Sequence, residues 1–186
     1  MNTIEFMGMP KAGKSTQIEL LETFLKHEKR QPTQVIYEGA RTCPFDKSYR
    51  FSYHSWSFHT MINRILEAHR MSHNYLLVDR GIYDHITFSL ALYKNGDFTK
   101  KQFTAQKEYF EEFLHLEERV LLLSIPPEIA MERAKRDYGR VMNIEFLRLL
   151  ADSYQEALPY LRHPYCIVDG TKKAVENAEE ILMFLG

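Results

Sequence analysis

Two glycines, a lysine and a serine near the start of the chain have the types and spacing that phosphate binding requires. The stretch Gly8–Ser15 reads glycine, four residues, glycine, lysine, serine, which is the phosphate-binding loop or P-loop pattern. A loop with few side chains can turn successive backbone N–H groups toward phosphate oxygens, and a helix that begins near Gly13 adds the positive end of its dipole. We predict that Lys14 reaches the β- and γ-phosphates and that Ser15 binds Mg²⁺. The alternative is a strand-to-helix turn that needs two glycines for its shape alone.

The predicted nucleotide-binding residues are those of this loop and the position that follows it, namely Gly8, Met9, Pro10, Lys11, Ala12, Gly13, Lys14, Ser15 and Thr16. A carboxylate suited to the same metal ends the apolar segment Tyr75–Asp79. In P-loop enzymes an acidic residue at the end of a buried strand holds the Mg²⁺ shell, so we predict Asp79 in that role. A helix N-cap is the alternative interpretation of Asp79, and the two are compatible.

Five short apolar segments must position these groups, and helical spacing of apolar residues fills the intervals between them. The predicted strands are Thr3–Met7, Gln34–Glu38, Tyr75–Asp79, Arg119–Ile125 and Tyr165–Asp169. Alternation of strand and helix predicts an α/β fold, a five-stranded parallel sheet with helices on both faces and ligands at the carboxyl ends of the strands. No linker or repeat divides the chain, so we predict one domain over residues 1–186.

Composition excludes several classes of protein. The chain has 186 residues, 45% hydrophobic and 26% charged, which fits one folded domain. Its net charge of -1 argues against broad nucleic-acid binding. If a nucleic acid is a substrate at all, we expect only its end to serve as the acceptor. Apolar runs such as Val120–Leu123 are too short to span a membrane. Met1–Pro10 lacks a secretory signal and Cys43 and Cys166 lack disulfide spacing, so we expect a cytoplasmic protein.

Beyond the loop, the order of several segments resembles the thymidylate kinase and deoxynucleoside kinase group. Gly13-Lys14-Ser15-Thr16-Gln17 resembles the start of thymidylate kinases, and Asp79-Arg80-Gly81 resembles the Asp-Arg motif beside the transferred phosphoryl group. The strand-to-lid region is matched by Pro127-Glu128 with Arg133, Arg136 and Arg140, and the C-terminal third by Glu145–Tyr154 and Ile167-Val168-Asp169.

This resemblance implies a P-loop kinase three-layer sandwich with a short arginine-bearing lid at about residues 132–143. It implies that Arg133, Arg136 and Arg140 fold over ATP and that Arg80 lies beside the transferred group. It also implies a homodimer formed through a sheet edge or a helix face. The alternative for the lid arginines is the solvated face of a helix.

The chain departs from thymidylate kinases at two places that concern the acceptor. Met7-Gly8-Met9-Pro10 stands where those enzymes read Glu-Gly-x-Asp, and Tyr37–Thr42 stands where they read Arg-Glu-Pro-Gly-Gly-Thr. In deoxynucleoside kinases a glutamate after the second strand acts as base on the sugar hydroxyl, and Glu38 is the residue that could match it. For a monophosphate acceptor Glu38 becomes a positioning group, and an N-cap or surface turn is the remaining alternative.

The segment after Glu38 combines arginines with many aromatic rings. We predict that Arg41, Arg50 and Trp56 contribute to an acceptor site, since a nucleobase can stack on a ring while guanidinium groups hold its sugar or phosphate. The rings are Phe45, Tyr49, Phe51, Tyr53, Trp56 and Phe58, and core packing is the alternative for each. Tyr83 and Asp84 either contact the substrate near Arg80 or help to open the following helix.

Together these features predict an ATP- and Mg²⁺-dependent kinase whose acceptor is a small phosphorylated or hydroxyl compound, a nucleotide or nucleoside. The predicted catalytic residues are Lys14, Glu38, Asp79, Arg80, Arg133, Arg136 and Arg140. One alternative is a P-loop kinase of another metabolite or of a nucleic-acid end. A second is a nucleotide-binding regulator without transfer chemistry, although the chain lacks the Asn-Lys-x-Asp guanine signature of such switches.

Overall fold

The structure is a computed structural model and describes residues 1–139 and 141–186. Within these residues the chain forms five strands and seven α-helices. The strands are β1 (Asn2–Gly8), β2 (Thr33–Ile36), β3 (Tyr75–Asp79), β4 (Arg119–Ser124) and β5 (Tyr165–Asp169). The helices are α1 (Lys14–Thr23), α2 (Arg50–Ala68), α3 (Ile82–Lys94), α4 (Lys100–Glu111), α5 (Pro127–Tyr138), α6 (Ile144–Ala157) and α7 (Ala174–Leu185).

The five strands form one parallel sheet in the order β2-β3-β1-β4-β5, with β1 at its centre. Phe6 pairs with Asp79 on one side of β1, and Gly8 pairs with Leu123 on the other. The carboxyl ends of β1, β3 and β4 therefore lie side by side at one edge of the sheet. This confirms the predicted fold and brings the P-loop next to Asp79.

Helices cover both faces of the sheet. On one face α1 packs against α7, and the side-chain amide of Gln17 donates to the carbonyl of Ala174 at 3.0 Å. On the other face α3 packs against α2, α4 and α6, and the ring centroids of Phe58 and Phe110 lie 3.5 Å apart. None of the helices in residues 1–139 and 141–186 combines the length and apolarity needed to cross a membrane.

Local sequence signals explain where several helices begin and end. Pro127 occupies the first turn of α5, where its missing N–H breaks no bond, and Gly139 ends the helix with a left-handed φ of 61°. Thr99 forms a capping box with Gln102 before α4. The side chain of Asn143 accepts two backbone N–H groups at the start of α6. The predicted lid at about residues 132–143 is thus the end of α5 and the connection to α6.

The second strand is shorter than predicted. The sequence predicted strand Gln34–Glu38, whereas β2 ends at Ile36 and the chain then enters a 3₁₀ turn at Gly39–Thr42. β2 is an edge strand whose only neighbour in the sheet is β3, and its pairing stops at Ile36 opposite Val78. Glu38 consequently follows the strand end instead of belonging to the ladder.

Gly8 is a position where an added methyl group should be costly. Its φ is 139°, and a Cβ atom would lie 2.4 Å from the carbonyl oxygen of Leu123 on the neighbouring strand. We expect Gly8→Ala to lower the free energy of unfolding by about 3 kcal/mol or more, measured by urea unfolding followed by circular dichroism. Gly96→Ala is the control, because Gly96 has a φ of 81° with no atom within 4 Å and should lose only about 1 kcal/mol. Equal losses would contradict the steric explanation.

Candidate active site

The loop between β1 and α1 takes the strained backbone path that its glycines permit. Gly8, Lys11 and Gly13 have φ values of 139°, 66° and 101°. The backbone N–H of Ala12 donates to the carbonyl of Met9 at 3.2 Å, which closes the loop on itself. The loop leads directly into Lys14 at the start of α1, so it lies at the N-terminus of a helix, where anions are favoured.

Lys14 is buried in this loop. Its ammonium donates to the carbonyl oxygens of Gly8 at 3.0 Å and Met9 at 3.2 Å. Burial, and then the positive charge of Arg80, lower the pKa of Lys14 from 10.5 to about 8. A phosphate bound in the loop would oppose both effects, because it would supply the negative charge that favours the ammonium.

Arg80 is the cation that joins the loop to Glu38 and Asp84. Its guanidinium donates to the Glu38 carboxylate at 3.1 Å, to the Gly8 carbonyl at 3.2 Å and to the Asp84 carboxylate at 2.7 Å. Its face lies 4.7 Å from the ring centroid of Phe88. Burial alone would lower the pKa of Arg80, but Asp84 and Glu38 outweigh it and raise that pKa well above its usual value. Arg80 is therefore a fixed, permanent cation.

Asp84 holds Arg80 and the P-loop together, a part that goes beyond the substrate contact or helix opening that the sequence predicted for it. Its carboxylate accepts the backbone N–H of Gly8 at 3.0 Å, the hydroxyl of Tyr154 at 2.7 Å and the guanidinium of Arg80. Burial would raise the pKa of Asp84, yet the charges of Arg80 and Lys14 lower it overall. The four-residue spacing from Arg80 was the available signal, since residues four apart on a helix contact one another.

Asp79 and Ser15 are suited to hold Mg²⁺. Asp79 is 8% exposed, and its Oδ1 atom has no hydrogen-bond partner among the described residues. Burial raises the pKa of Asp79, while Lys14 and Arg80 oppose that shift. Ser15 is exposed in the first turn of α1. A carboxylate and a hydroxyl are the hard oxygen ligands that Mg²⁺ prefers, and it usually completes its shell with water and substrate phosphates.

The described residues contain no cluster of three or more His, Cys, Asp or Glu side chains that could hold a metal by itself. Asp79 and Ser15 thus fit a metal that arrives with a phosphorylated substrate better than a resident metal enclosed by protein.

The predicted lid arginines are placed differently from one another. Arg133 donates to the carbonyl of Lys11 at 3.1 Å and to the carbonyl of Gly170 at 2.9 Å, so it joins the loop to the turn after β5. Arg136 has a side chain that is 70% exposed and pairs with Asp137, which also binds Lys11 at 3.1 Å. The third predicted lid residue, Arg140, lies outside the described residues.

The turn after β2 meets one face of α2. Tyr53 donates to the carbonyl of Ala40 at 3.0 Å, and Arg64 donates to the carbonyl of Tyr37 at 3.1 Å. Trp56 is partly buried and shares this face by its spacing from Tyr53. Through its bond to Tyr37, Arg64 lies next to the backbone of Glu38, and no motif in the sequence indicated this cation. Arg41 lies in the turn, but its side chain is outside the description.

The other rings predicted for the acceptor site divide between core and surface. Phe58 is fully buried against α4 and belongs to the core, whereas the partly buried Phe51 packs on Phe98 with ring centroids 5.5 Å apart. Phe45 and Tyr49 are 45% and 67% exposed. The core alternative is therefore correct for Phe58.

Two residues that were predicted to contact the substrate, Arg50 and Tyr83, make contacts with other groups of the protein. Arg50 lies 3.7 Å from the carboxylate of Asp97 at the turn between α3 and α4. Tyr83 is buried, and its hydroxyl accepts the backbone N–H of Arg162 at 3.0 Å and lies 2.9 Å from Nδ1 of His163. Tyr83 opens α3 and packs toward the loop before β5, as the helix-opening alternative expects.

Known structures share this architecture. Deoxyadenosine kinase from M. mycoides with bound dATP superposes with a TM-score of 0.78 and 16% identity, over 100% of this chain and 99% of that chain. The same enzyme with bound dCTP superposes with a TM-score of 0.78 and 18% sequence identity, over 98% of both chains. With the products dCMP and a flexible dCDP bound, the TM-score is 0.76 and the sequence identity 18%, again over 98% of both chains. At this identity the likeness demonstrates the fold. No curated protein sequence is similar enough to count as a match.

The sequence model of one family, thymidylate kinase, matches residues 6–181. The match spans nearly the whole chain and includes the P-loop, the Asp79-Arg80-Gly81 turn and the helix with Arg133. The chain therefore belongs to the thymidylate kinase family of nucleoside and nucleotide kinases.

Proposed function

We propose that this protein transfers the γ-phosphoryl group of ATP to a nucleoside, with Mg²⁺ held by Ser15 and Asp79. The observation that carries the proposal is the position of Arg80, whose guanidinium binds both the Gly8 carbonyl of the P-loop and the Glu38 carboxylate. A donor phosphate in the loop and an acceptor at Glu38 would therefore meet at one fixed cation. Phosphoryl transfer depends mainly on such positioning and charge neutralisation.

The cationic residues of the chain have separate tasks in this proposal. Lys14 binds the β- and γ-phosphates, because its ammonium lies within the loop. Arg80 stabilises the negative charge on the group in transit, and its contacts fix it before the substrate arrives. Arg133 closes the loop against the turn after β5, and the predicted lid residues Arg136 and Arg140 then exclude water. Mg²⁺ held by Ser15 and Asp79 would supply charge neutralisation for the phosphates of the donor.

Glu38 favours a hydroxyl acceptor. Its side chain is 42% exposed while one carboxylate oxygen accepts from Arg80, so the carboxyl group is held at the edge of the site and remains open to solvent. A sugar hydroxyl must lose a proton when it attacks, and a positioned carboxylate can accept it. The fold relatives that bind dATP and dCTP are deoxyadenosine kinases, which agrees with a nucleoside acceptor.

A nucleoside monophosphate is the second candidate acceptor, and Arg64 is the observation that favours it. The guanidinium of Arg64 is half-buried at the carbonyl of Tyr37, one residue from Glu38. A guanidinium can bind a phosphate through two parallel hydrogen bonds. In that case Glu38 positions the acceptor and takes no proton.

Replacing the loop lysine should abolish transfer. Lys14→Met keeps the length of the side chain and removes its charge, so we expect kcat to fall by roughly 10³-fold or more, measured as labelled phosphate moved from ATP to a panel of nucleosides and nucleoside monophosphates. Thermal unfolding should show no loss of stability, because a buried charge with a lowered pKa is removed. The exposed Lys101→Met variant is the control. ATP binding without transfer to any acceptor in the unmodified protein would instead indicate a regulator.

Glu38 should distinguish the two acceptor classes. If the acceptor is a hydroxyl, Glu38→Gln should lower kcat by about 10²- to 10⁴-fold, because the amide cannot take the proton. If it is a monophosphate, kcat should change by less than about tenfold, because no proton is transferred. Initial rates at saturating ATP measure both, with the exposed Glu67→Gln as control. A nucleoside acceptor with an unchanged kcat would contradict the assignment of Glu38 as base.

A further inference from the structure

Two glutamates are buried together beneath the turn that carries Arg80. Glu5 lies on the central strand β1 with 0% of its surface exposed, and Glu117 lies just before β4 with 1% exposed. A Cβ atom on Gly81 would lie 2.7 Å from Oε1 of Glu117 and 2.7 Å from Cδ of Glu5. The carboxyl groups of Glu5 on β1 and of Glu117 before β4 therefore converge on Gly81, and only a residue without a side chain leaves them room.

The hydrogen bonds of the two glutamates differ. The carboxylate of Glu5 accepts the backbone N–H of Tyr83 at 3.0 Å and that of Asp84 at 2.7 Å. These groups lie in the first turn of α3, where a helix has no internal acceptors, and the N-cap residue Gly81 has no side chain to supply one. Neither carboxyl oxygen of Glu117 makes a well-formed hydrogen bond among the described residues, although the nearby backbone N–H of Ile82 favours its ionised form and lowers its pKa against the effect of burial. Glu5 on β1 therefore caps the N-terminus of α3, and Glu117 lies beside Glu5.

Two carboxyl groups this close and this buried cannot both be ionised. Burial, followed by Glu117 and Asp84, raises the pKa of Glu5 well above its ordinary value, and burial raises that of Glu117 to about 8. Two N–H donors favour the ionised form of Glu5, so the proton resides on Glu117. The charged and titratable groups around the pair are Asp84, Tyr83 and Arg80 at the start of α3, Tyr154 on α6, and Arg162 and His163 before β5.

We propose that Glu117, as a neutral acid, and Glu5, as a carboxylate, form a positioning pair that sets the start of α3 for phosphoryl transfer. Glu5 holds the N–H of Asp84, and the Asp84 carboxylate holds both Gly8 and Arg80. Loss of the Glu117 proton places a second negative charge under the helix start and displaces this chain of contacts. That Arg80 matters for the rate rests on the proposed function, whereas the protonation of the pair does not.

The first test compares the unmodified protein with Glu117→Gln, which imitates the neutral acid and cannot ionise, and with the adjacent exposed Glu118→Gln as control. In the unmodified protein kcat at saturating substrates should fall as the pH rises through about 8. In Glu117→Gln the ratio of kcat at pH 9 to kcat at pH 7 should be at least severalfold higher. Lys14 also titrates near this pH but is the same in all three proteins, so the difference isolates Glu117. An identical decline in Glu117→Gln would overturn the positioning role.

The second test does not need activity. Because the fold raises the pKa of Glu117 from 4.5 to about 8, its contribution to stability is complete below about pH 4.5 and is lost as the pH rises to about 8. We expect Tm to fall with pH over that interval in the unmodified protein and in Glu118→Gln, and to fall less in Glu117→Gln. The ¹³C carboxyl resonance of Glu117 should titrate near pH 8. A carboxyl resonance that titrates near 4.5 would overturn the shared proton.

A third measurement keeps the positioning role testable if no acceptor is phosphorylated. The Nε–H resonance of Arg80, which donates to Glu38, should shift with the ionisation of Glu117 and should lose that shift in Glu117→Gln. Glu5→Gln should lower Tm at every pH, because an amide cannot accept from both backbone N–H groups through two oxygens. An Arg80 resonance that does not respond to Glu117 would refute the positioning role, while failure to find an acceptor would refute the proposed function alone.

Discussion

The buried ion pair between Arg80 and Asp84 joins the parts of this molecule that must act together. The two groups lie 2.7 Å apart, with side chains 8% and 1% exposed. Through them the P-loop at Gly8, the turn after β3 and Tyr154 on α6 share one hydrogen-bond network. A buried pair contributes little net stability, but loss of one partner costs about 3–5 kcal/mol because the other charge stays buried. The network therefore specifies geometry more than it adds stability.

Among the described residues, two of the three non-glycine residues with a positive φ lie at or beside the P-loop. Arg80 and Lys11 are non-glycine residues with φ values of 68° and 66°, a region that costs about 1–3 kcal/mol each. The N–H of Arg80 is fixed by the carbonyl of Phe6 at 3.0 Å, and Lys11 is held by Asp137 and Arg133. Tertiary contacts thus offset the strain where the backbone must bring a cation to the phosphate site.

The sequence alone predicts those features of the fold that depend on a local pattern of residues. The P-loop, the ends of β3 and β5 and the start of α5 at Pro127 follow from short motifs and from apolar periodicity. The end of β2 was predicted too late, because edge pairing with β3 decides it. Aromatic density could not separate Phe58, stacked in the core, from Trp56 on the face toward the turn, since helical phase relative to a neighbouring helix is set by tertiary packing.

Local sequence patterns do not predict contacts between residues that are far apart in the sequence. Glu5 is a single carboxylate within an apolar strand, and Glu117 precedes another strand by two residues. Only the central position of β1 and the absence of a side chain at Gly81 bring them together. A charged residue in a segment predicted to be a buried strand is the signal that could have found the pair, because a buried charge must have a partner.

The charges of the site account for how a chain with a net charge of -1 would bind the polyphosphate of the proposed donor. Arg80 is already neutralised by Asp84 and Glu38, whereas the hydrogen bonds of Lys14 within the described residues go to carbonyl dipoles. Dipoles stabilise an ammonium less than a carboxylate does, which is consistent with the lowered pKa of Lys14. The protein thus fixes one cation with its own acids, and in the proposed function the second is left for the phosphate, so that binding would not depend on an overall positive charge.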